Sequence, residues 1–176
     1  MNLKDKLLLE EQKSFIGWDF SYLNGRVTEE PLNWDYKKII MSYLKKTDRL
    51  LDMGTGGGEF LLTLNHPFYL TSVTEGYLPN LKLCKERLEP LGISVKHILN
   101  DKEIPYENQM FDIVINKHES YDLDEVYRIL KPSGYFITQQ VGGLNNVDLS
   151  EKLGCTRTID KNHNLKKILK NLCTNK

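Results

Sequence analysis

Residues 51–60 read LDMGTGGGEF, a short apolar run that leads directly into a glycine-rich turn and the start of a helix. Gly54, Gly56 and Gly58 allow the backbone to turn sharply and let a ligand lie against bare main chain. The helix predicted over 59–64 offers unpaired backbone N–H groups and a positive dipole end to an anionic group. The stretch therefore predicts a strand, a ligand-binding turn and a helix in succession.

A carboxylate follows at a distance that suits a ribose. Glu75 comes 21 residues after Gly54, at the end of the next apolar segment. A carboxylate at the end of a second strand can accept hydrogen bonds from both hydroxyls of a ribose. The order of strand, glycine turn, helix, strand and acid is typical of an adenosine-binding half-fold, so we predict that Glu75 binds the cofactor ribose.

The rest of the chain alternates strands and helices around this unit. A helix with Asp35 as its N-cap is predicted over 35–46. Two more helices follow the one at 59–64, and they are predicted over 79–88 and 122–130. The strands are predicted over 49–53, 69–74, 94–99, 111–116 and 135–141. Short turns in a β-α order predict a parallel sheet with helices on both faces. The fold class is therefore α/β, an open, doubly wound sandwich with sheet order 3-2-1-4-5.

The glycine turn alone does not distinguish nicotinamide cofactors from S-adenosylmethionine. Asp52, two residues before Gly54, would oppose a pyrophosphate but suits a cationic sulfonium and its ammonium group. The spacing is also G-x-G-x-G rather than the G-x-G-x-x-G of dinucleotide sites. Both features favour S-adenosylmethionine, and an NAD-dependent oxidoreductase stays as an alternative.

Motifs in the second half of the chain extend this interpretation. Residues 104–106 read IPY, residues 111–114 read FDIV and residues 126–136 read VYRILKPSGYF. This run resembles the LPF, FDxV and EVxRVLKPGGxF motifs of class I S-adenosylmethionine-dependent methyltransferases. The chain also reads WDFSYLNGR at 18–26, KHESYD at 117–122 and TQQVGG at 138–143. Together with DMGTGGGE these segments resemble a little-characterised bacterial group of methyltransferase-like proteins, which carries WDxSYLxGR, RHExYD and TQQVGG.

The resemblance covers roughly residues 15–150 and implies a Rossmann-like fold of the class I methyltransferase type. It implies S-adenosylmethionine as the cofactor and methyl transfer to an unidentified acceptor, with a small molecule as the default. Asn100 or Asp101 would accept from the adenine amino group, and Tyr77 would cover the adenine face because Gly76 has no side chain. The predicted cofactor-binding residues are Asp52, Gly54, Thr55, Gly56, Gly58, Glu75, Gly76, Tyr77, Asn100, Asp101 and Asn116.

The residues just past the fourth predicted strand are candidates for catalysis. Ligands of open α/β sheets bind outside the carboxyl ends of the strands, where His118 and Glu119 lie. His118 is interpreted as a substrate contact or general base that Glu119 orients, or as a loop histidine with a local hydrogen bond. Both alternatives stay open at the level of sequence.

An aromatic segment near the N-terminus offers further substrate candidates. Trp18, Tyr22 and Arg26 are predicted to fold over the cofactor and contact the substrate. The alternative is an aromatic cover on the core without a role in the site.

Three parts of the chain are predicted: an N-terminal helix and aromatic cover at 1–34, a cofactor-binding domain at 35–150 and a helical extension at 151–176. Class I domains usually have two further strands, and residues after 151 do not predict them. This motivates a second hypothesis, a cofactor-binding protein without catalytic activity. The five lysines within 161–176 indicate a helix with a solvated face rather than an RNA-binding tail.

Composition excludes several other classes. The chain has 24 basic and 24 acidic residues, so no attraction to nucleic acid or to an anionic membrane is indicated. No apolar run is long enough to span a bilayer, and no signal-peptide core is evident, which favours a cytoplasmic location. Cys84, Cys155 and Cys173 form no CxxC pair, so neither a disulfide framework nor a metal site is predicted. An exposed sheet edge would make an oligomer possible.

Overall fold

A computed structural model describes residues 1–13, 17, 21–145, 147–152 and 154. The helices are α1 (Leu3–Glu11), α2 (Tyr36–Tyr43), α3 (Glu59–Leu62), α4 (Leu78–Leu88), α5 (Leu123–Ile129) and α6 (Val147–Lys152). The strands are β1 (Leu50–Met53), β2 (Thr71–Glu75), β3 (Ser94–His97), β4 (Phe111–Lys117) and β5 (Leu130–Gln139). Short 3₁₀ turns lie at Ser21–Leu23, Phe68–Leu70 and Glu89–Leu91.

The strands form one parallel sheet in the order β3-β2-β1-β4-β5, which confirms the predicted topology. In register, Leu51 of β1 lies beside Ser72 of β2 and Val114 of β4. All four residues of β1 are buried, as expected for a central parallel strand with helices on both faces. The chain reverses its winding direction between β1 and β4, so a crevice for a ligand is expected at their carboxyl ends.

Two apolar clusters flank the sheet, and alternate residues of β1 and β4 supply them. Leu50 and Ile113 pack with α2, α3 and α4 on one face. Leu51 and Val114 pack with α5 on the other face. Each fully buried aliphatic side chain of this kind contributes about 1.5–3 kcal/mol, so the clusters hold the strand ends in fixed positions.

The N-cap predicted at Asp35 for α2 is present. The Asp35 carboxylate accepts from the Lys38 N–H at 3.0 Å. Asp122 caps α5 in the same way, through the N–H groups of Asp124 and Glu125. These caps satisfy backbone donors that a helix leaves without an internal partner.

Several element boundaries differ from the predicted ones. β5 begins at Leu130 rather than at 135 and ends at Gln139 rather than at 141. α3 ends at Leu62 rather than at 64, because Thr63 and Leu64 donate to carbonyl groups three residues back and Asn65 has a φ of 48°. β3 ends at His97 rather than at 99.

The chain comprises two compact units, Met1–Ile137 and Thr138–Lys176. The predicted boundaries after 34 and after 150 stay predictions. The helical extension predicted over 151–176, where no further strands are predicted, lies mostly outside the described residues. Within the described residues, no helix is both long and apolar enough to cross a membrane.

Candidate functional site

The glycine-rich turn after β1 is attached to the end of β2 by main-chain hydrogen bonds. The N–H groups of Gly54 and Thr55 donate to the Thr74 carbonyl, with N···O distances of 3.0 and 3.3 Å. Gly54, Gly56 and Gly58 have φ values of 65°, 66° and 79°, which residues with a side chain rarely adopt. The sharp turn predicted from the glycine spacing is therefore present.

Helix α4 supports the turn from behind. The Cys84 thiol donates to the Gly56 carbonyl at 2.8 Å. Burial, followed by the nearby Glu75 carboxylate, raises the pKa of this thiol to about 12, so it keeps its proton and acts as a donor. The sequence predicted no such contact for Cys84, because nothing local links two positions 28 residues apart.

Glu75 lies at the end of β2 with its carboxylate aimed at the turn. One oxygen accepts from the Gly56 N–H at 2.9 Å, and the other accepts from the Tyr77 N–H at 2.8 Å. The side chain is only 4% exposed. Each carboxylate oxygen has two lone pairs, so this fixed carboxylate can still accept from the two hydroxyls of a ribose.

Asp52 is buried beneath the same turn and is 5% exposed. Its carboxylate accepts from the Thr55 hydroxyl at 2.7 Å. Burial raises the pKa of Asp52 to about 7; the Thr55 hydrogen bond opposes this shift, and the Glu75 charge adds to it. A cationic group bound nearby would lower that pKa again, whereas a pyrophosphate would meet further repulsion.

The residues predicted to hold adenine lie after β2 and β3. A β carbon at Gly76 would lie 3.3 Å from the Ile98 carbonyl oxygen. The Tyr77 ring is 47% exposed, an accessible flat surface of the kind that covers a base. The Asn100 side-chain oxygen already accepts from the Lys102 N–H at 3.0 Å. Asp101 is the other residue predicted to accept from the adenine amino group.

The end of β4 is held by a hydroxyl from α2. The Tyr36 hydroxyl accepts from the Asn116 N–H at 3.1 Å and lies 2.8 Å from the Ile137 carbonyl, to which it donates. Burial and the Asp52 charge raise the pKa of Tyr36, so this donor stays protonated. Asn116, a predicted cofactor contact, is fully buried, and its side-chain oxygen lies 3.3 Å from the Glu119 N–H, from which it accepts.

His118 follows directly and has a φ of 64°, a conformation that costs a non-glycine residue about 1–3 kcal/mol. Such strain is common where a side chain must be aimed at a ligand. Burial, with a smaller contribution from the Lys117 charge, lowers the pKa of His118 below its usual range. The imidazole is therefore neutral at pH 7, the state in which one ring nitrogen can accept a proton.

Glu119 lies against the first glycine of the turn. A β carbon on Gly54 would lie 2.5 Å from Cγ of Glu119. Burial, then the charges of Glu75 and Asp101, raise the pKa of Glu119. The carboxyl ends of β1, β2 and β4 thus bring together three carboxylates that the sequence separates.

The N-terminal segment meets the site region at one described residue. The Gly17 N–H donates to the Asn80 side-chain oxygen of α4 at 2.8 Å. Trp18 lies outside the described residues. The Arg26 guanidinium lies over the Tyr22 ring, 5.9 Å from its centroid, and it is 3.6 Å from the Glu10 carboxylate of α1. These contacts join Tyr22, Arg26 and α1 to one another. Asn80 was not predicted, since its partner is 63 residues away.

Within the described residues, no group of three or more histidine, cysteine, aspartate or glutamate side chains is arranged to hold a metal ion. The cluster at the glycine turn is instead a main-chain turn bordered by carboxylates. This arrangement suits a ribose together with a positively charged group.

Comparisons with known structures show the same fold. An S-adenosylmethionine-dependent methyltransferase from Aquifex aeolicus is 21% identical, with 62% of this chain and 65% of that chain covered at a TM-score of 0.52. The YcgJ protein from Bacillus subtilis is 17% identical, with coverages of 67% and 55% and a TM-score of 0.54. The [4+2]-cyclase SpnF is 18% identical, with coverages of 61% and 44% and a TM-score of 0.51.

The chain thus spans about half to two thirds of the length of these proteins. No curated protein sequence matches it. Residues 51–138, from β1 into β5, match the profile of the methyltransferase domain. This segment contains the glycine turn, Glu75 and the loop after β4. The chain belongs to the methyltransferase domain family.

Proposed function

We propose that the protein transfers a methyl group from S-adenosylmethionine to an acceptor, with a small molecule as the first class to test. S-adenosylmethionine is the cofactor that the family and the related structures imply. When bound, it supplies a methyl group that its sulfonium has already activated for displacement. The protein's own residues then have to bind, orient and exclude water.

The observation that carries the proposal is the set of carboxylates around the glycine turn. Asp52 and Glu119 both have raised pKa values, and the Glu75 charge contributes to both shifts. A site that repels additional negative charge favours a cationic ligand. The residues therefore fit S-adenosylmethionine, which carries a sulfonium and an ammonium group, better than the pyrophosphate of NAD.

The proposed roles follow the geometry. Gly54, Gly56 and Gly58 give the turn the left-handed backbone on which the cofactor would lie, and Glu75 accepts from its ribose. Asp101 or Asn100 accepts from the adenine amino group, and Tyr77 covers the base. Neutral His118 is the proposed base where the acceptor must lose a proton. Unchanged turnover in His118→Ala would exclude that role.

Two other functions are alternatives to methyl transfer. The first is a cofactor-binding protein without turnover. The [4+2]-cyclase among the similar structures illustrates that this fold also serves other reactions. An NAD-dependent oxidoreductase is opposed by Asp52 beneath the turn. Turnover with a library of acceptors would separate the first alternative, and NADH binding would support the second.

The decisive experiment is calorimetry with S-adenosylhomocysteine, with NADH as the control ligand. We expect micromolar binding of the former and none of the latter. Glu75→Ala should abolish measurable binding while the circular dichroism spectrum stays native, and Glu75→Gln should weaken it at least about tenfold, because one charge-assisted acceptor is lost. The exposed Glu89→Ala is the matched control. Unchanged affinity in both Glu75 variants would refute the ribose assignment.

A further inference from the structure

Glu119 occupies the side-chain-free face of Gly54. A β carbon built on Gly54 would lie within 2.6 Å of Cβ, Cγ and one carboxylate oxygen of Glu119. Any side chain at position 54 would therefore displace Glu119. Since the bare main chain of this turn is where the cofactor is expected to lie, the Glu119 carboxylate borders the cofactor site on its β4 side.

The two other carboxylates already have defined tasks within the turn. Asp52 accepts from the Thr55 hydroxyl at 2.7 Å beneath the loop. Glu75 accepts from the N–H groups of Gly56 and Tyr77 at the β2 side. Glu119, whose carboxylate accepts from the Ser120 hydroxyl at 3.5 Å, belongs to the loop after β4, so it approaches Gly54 from the side opposite to Glu75. A ligand on the turn would therefore lie between carboxylates from two different strand ends.

Glu119 lies among other negative charges, and a bound cation would reduce their mutual repulsion. Both Glu75 and Asp101 act on it as like charges. Its backbone is fixed at the same time, because its N–H donates to Asn116 at the end of β4. A bound ammonium group would therefore meet a carboxylate in a negative, partly buried environment, where a charge-assisted hydrogen bond is strengthened.

We propose that Glu119 is a specificity-determining residue that accepts hydrogen bonds from the α-ammonium group of the cofactor's methionine moiety, beside Gly54. This inference rests on the proposed function, since it requires that S-adenosylmethionine binds at the turn. It gives Glu119 a role other than orienting His118, which stays a prediction from the sequence.

A pair of ligands tests the assignment directly. S-adenosylhomocysteine carries the ammonium group, whereas 5′-methylthioadenosine keeps the adenosine and the thioether but has a methyl group in place of the amino-acid chain. In Glu119→Gln, the affinity for S-adenosylhomocysteine should fall about ten- to hundredfold, as expected for a lost charge-assisted hydrogen bond. The affinity for 5′-methylthioadenosine should stay within about twofold. The exposed Glu103→Gln is the matched control and should change neither affinity.

The assignment of Glu119 and the proposed function predict different binding results. If Glu119→Gln weakens both ligands equally, or leaves S-adenosylhomocysteine binding unchanged, Glu119 does not bind the ammonium group and the inference is wrong. If the unaltered protein binds neither ligand, the proposed function is wrong, and this inference with it. Thermal unfolding of each variant shows whether a loss of affinity is a loss of fold.

Discussion

The two sides of the glycine turn are built by different means. On the β2 side, N–H groups of the turn donate to the Thr74 carbonyl and to the Glu75 carboxylate. On the β4 side, the strand end depends on the Tyr36 hydroxyl, which comes from 80 residues away in the sequence. His118 then takes a strained left-handed conformation. The first side depends on a short motif, whereas the second side depends on the packing of α2 against the sheet.

Because they are built differently, the two sides should tolerate different substitutions. Main-chain bonds at the turn survive most side-chain changes, and they fail where a new side chain meets the backbone or α4. Side-chain bridges at β4 fail when a single oxygen is removed. The glycine turn should therefore be sensitive to added side-chain volume, and the β4 side to the loss of one polar atom.

Gly58→Ala, in the glycine turn, should have the largest effect on stability. Gly58 has a φ of 79°, and a β carbon there would lie 2.8 Å from the Leu88 side chain. Left-handed strain of about 1–2 kcal/mol and overpacking of about 1–3 kcal/mol should together lower the free energy of unfolding by about 2–5 kcal/mol. Urea denaturation measures this loss.

Gly92→Ala is the control for this change. Gly92 has a φ of 91° but nothing within 4 Å of its β-carbon position. It should lose only the strain part, about 1–2 kcal/mol. Equal losses in both variants would show that the Leu88 contact does not constrain the turn.

The next effect tests the β4 side, in Tyr36→Phe. This change keeps the ring but removes the partner of the buried Asn116 N–H and the Ile137 carbonyl. Buried groups left without a partner cost about 1–3 kcal/mol, which urea denaturation again measures. Tyr43→Phe, half exposed in the same helix, should change stability by less than about 0.5 kcal/mol. A Tyr36 variant as stable as this control would contradict the bridging role.

The smallest effect concerns charge at the turn. Burial raises the pKa of Asp52 from 3.8 to about 7, so this group loses its proton as the pH rises through neutrality. The sulfonium of S-adenosylmethionine gains from that negative charge, whereas the neutral thioether of S-adenosylhomocysteine does not. Calorimetry should show the ratio of their affinities rising up to about tenfold from pH 6 to pH 8, in favour of S-adenosylmethionine.

Asp52→Asn should make that ratio nearly independent of pH. The same shift has a second consequence, with the opposite sign for folding. Because the folded pKa lies above the unfolded value, the Asp52 contribution to stability is greatest below about pH 4 and is lost as the pH rises toward 7. A ratio that still rises in Asp52→Asn would show that another group is responsible for the pH dependence.

Sequence reasoning predicted the sheet order because each strand and helix has its own local pattern and the connections are short. It also predicted the position of Glu75, since a carboxylate at the end of β2 needs only a correct strand boundary. It did not foresee the tasks of Tyr36, Cys84 and Asn80. Each of these side chains acts on a partner between 28 and 80 residues away, and no local pattern encodes such a pair.

The boundaries that differ have a similar cause. β5 begins at Leu130, directly after α5, although Pro132 and Gly134 predict a longer break. Ser133, between them, has a φ of 66°, and the Lys131 ammonium bonds the Asp112 carboxylate of β4 at 2.7 Å, which ties this part of β5 to its neighbour. A proline and a glycine report only what the isolated chain prefers.

The sequence by itself determined the order of the elements, the glycine turn and the acid at the end of β2. These depend on periodicity, on backbone freedom and on spacing, which are local properties. Only the tertiary structure decided that Glu119 rests on Gly54 and that Tyr36 holds the end of β4. Burial raises the pKa of Asp52 for the same reason, because the environment of a side chain is set by the distant elements that pack around it.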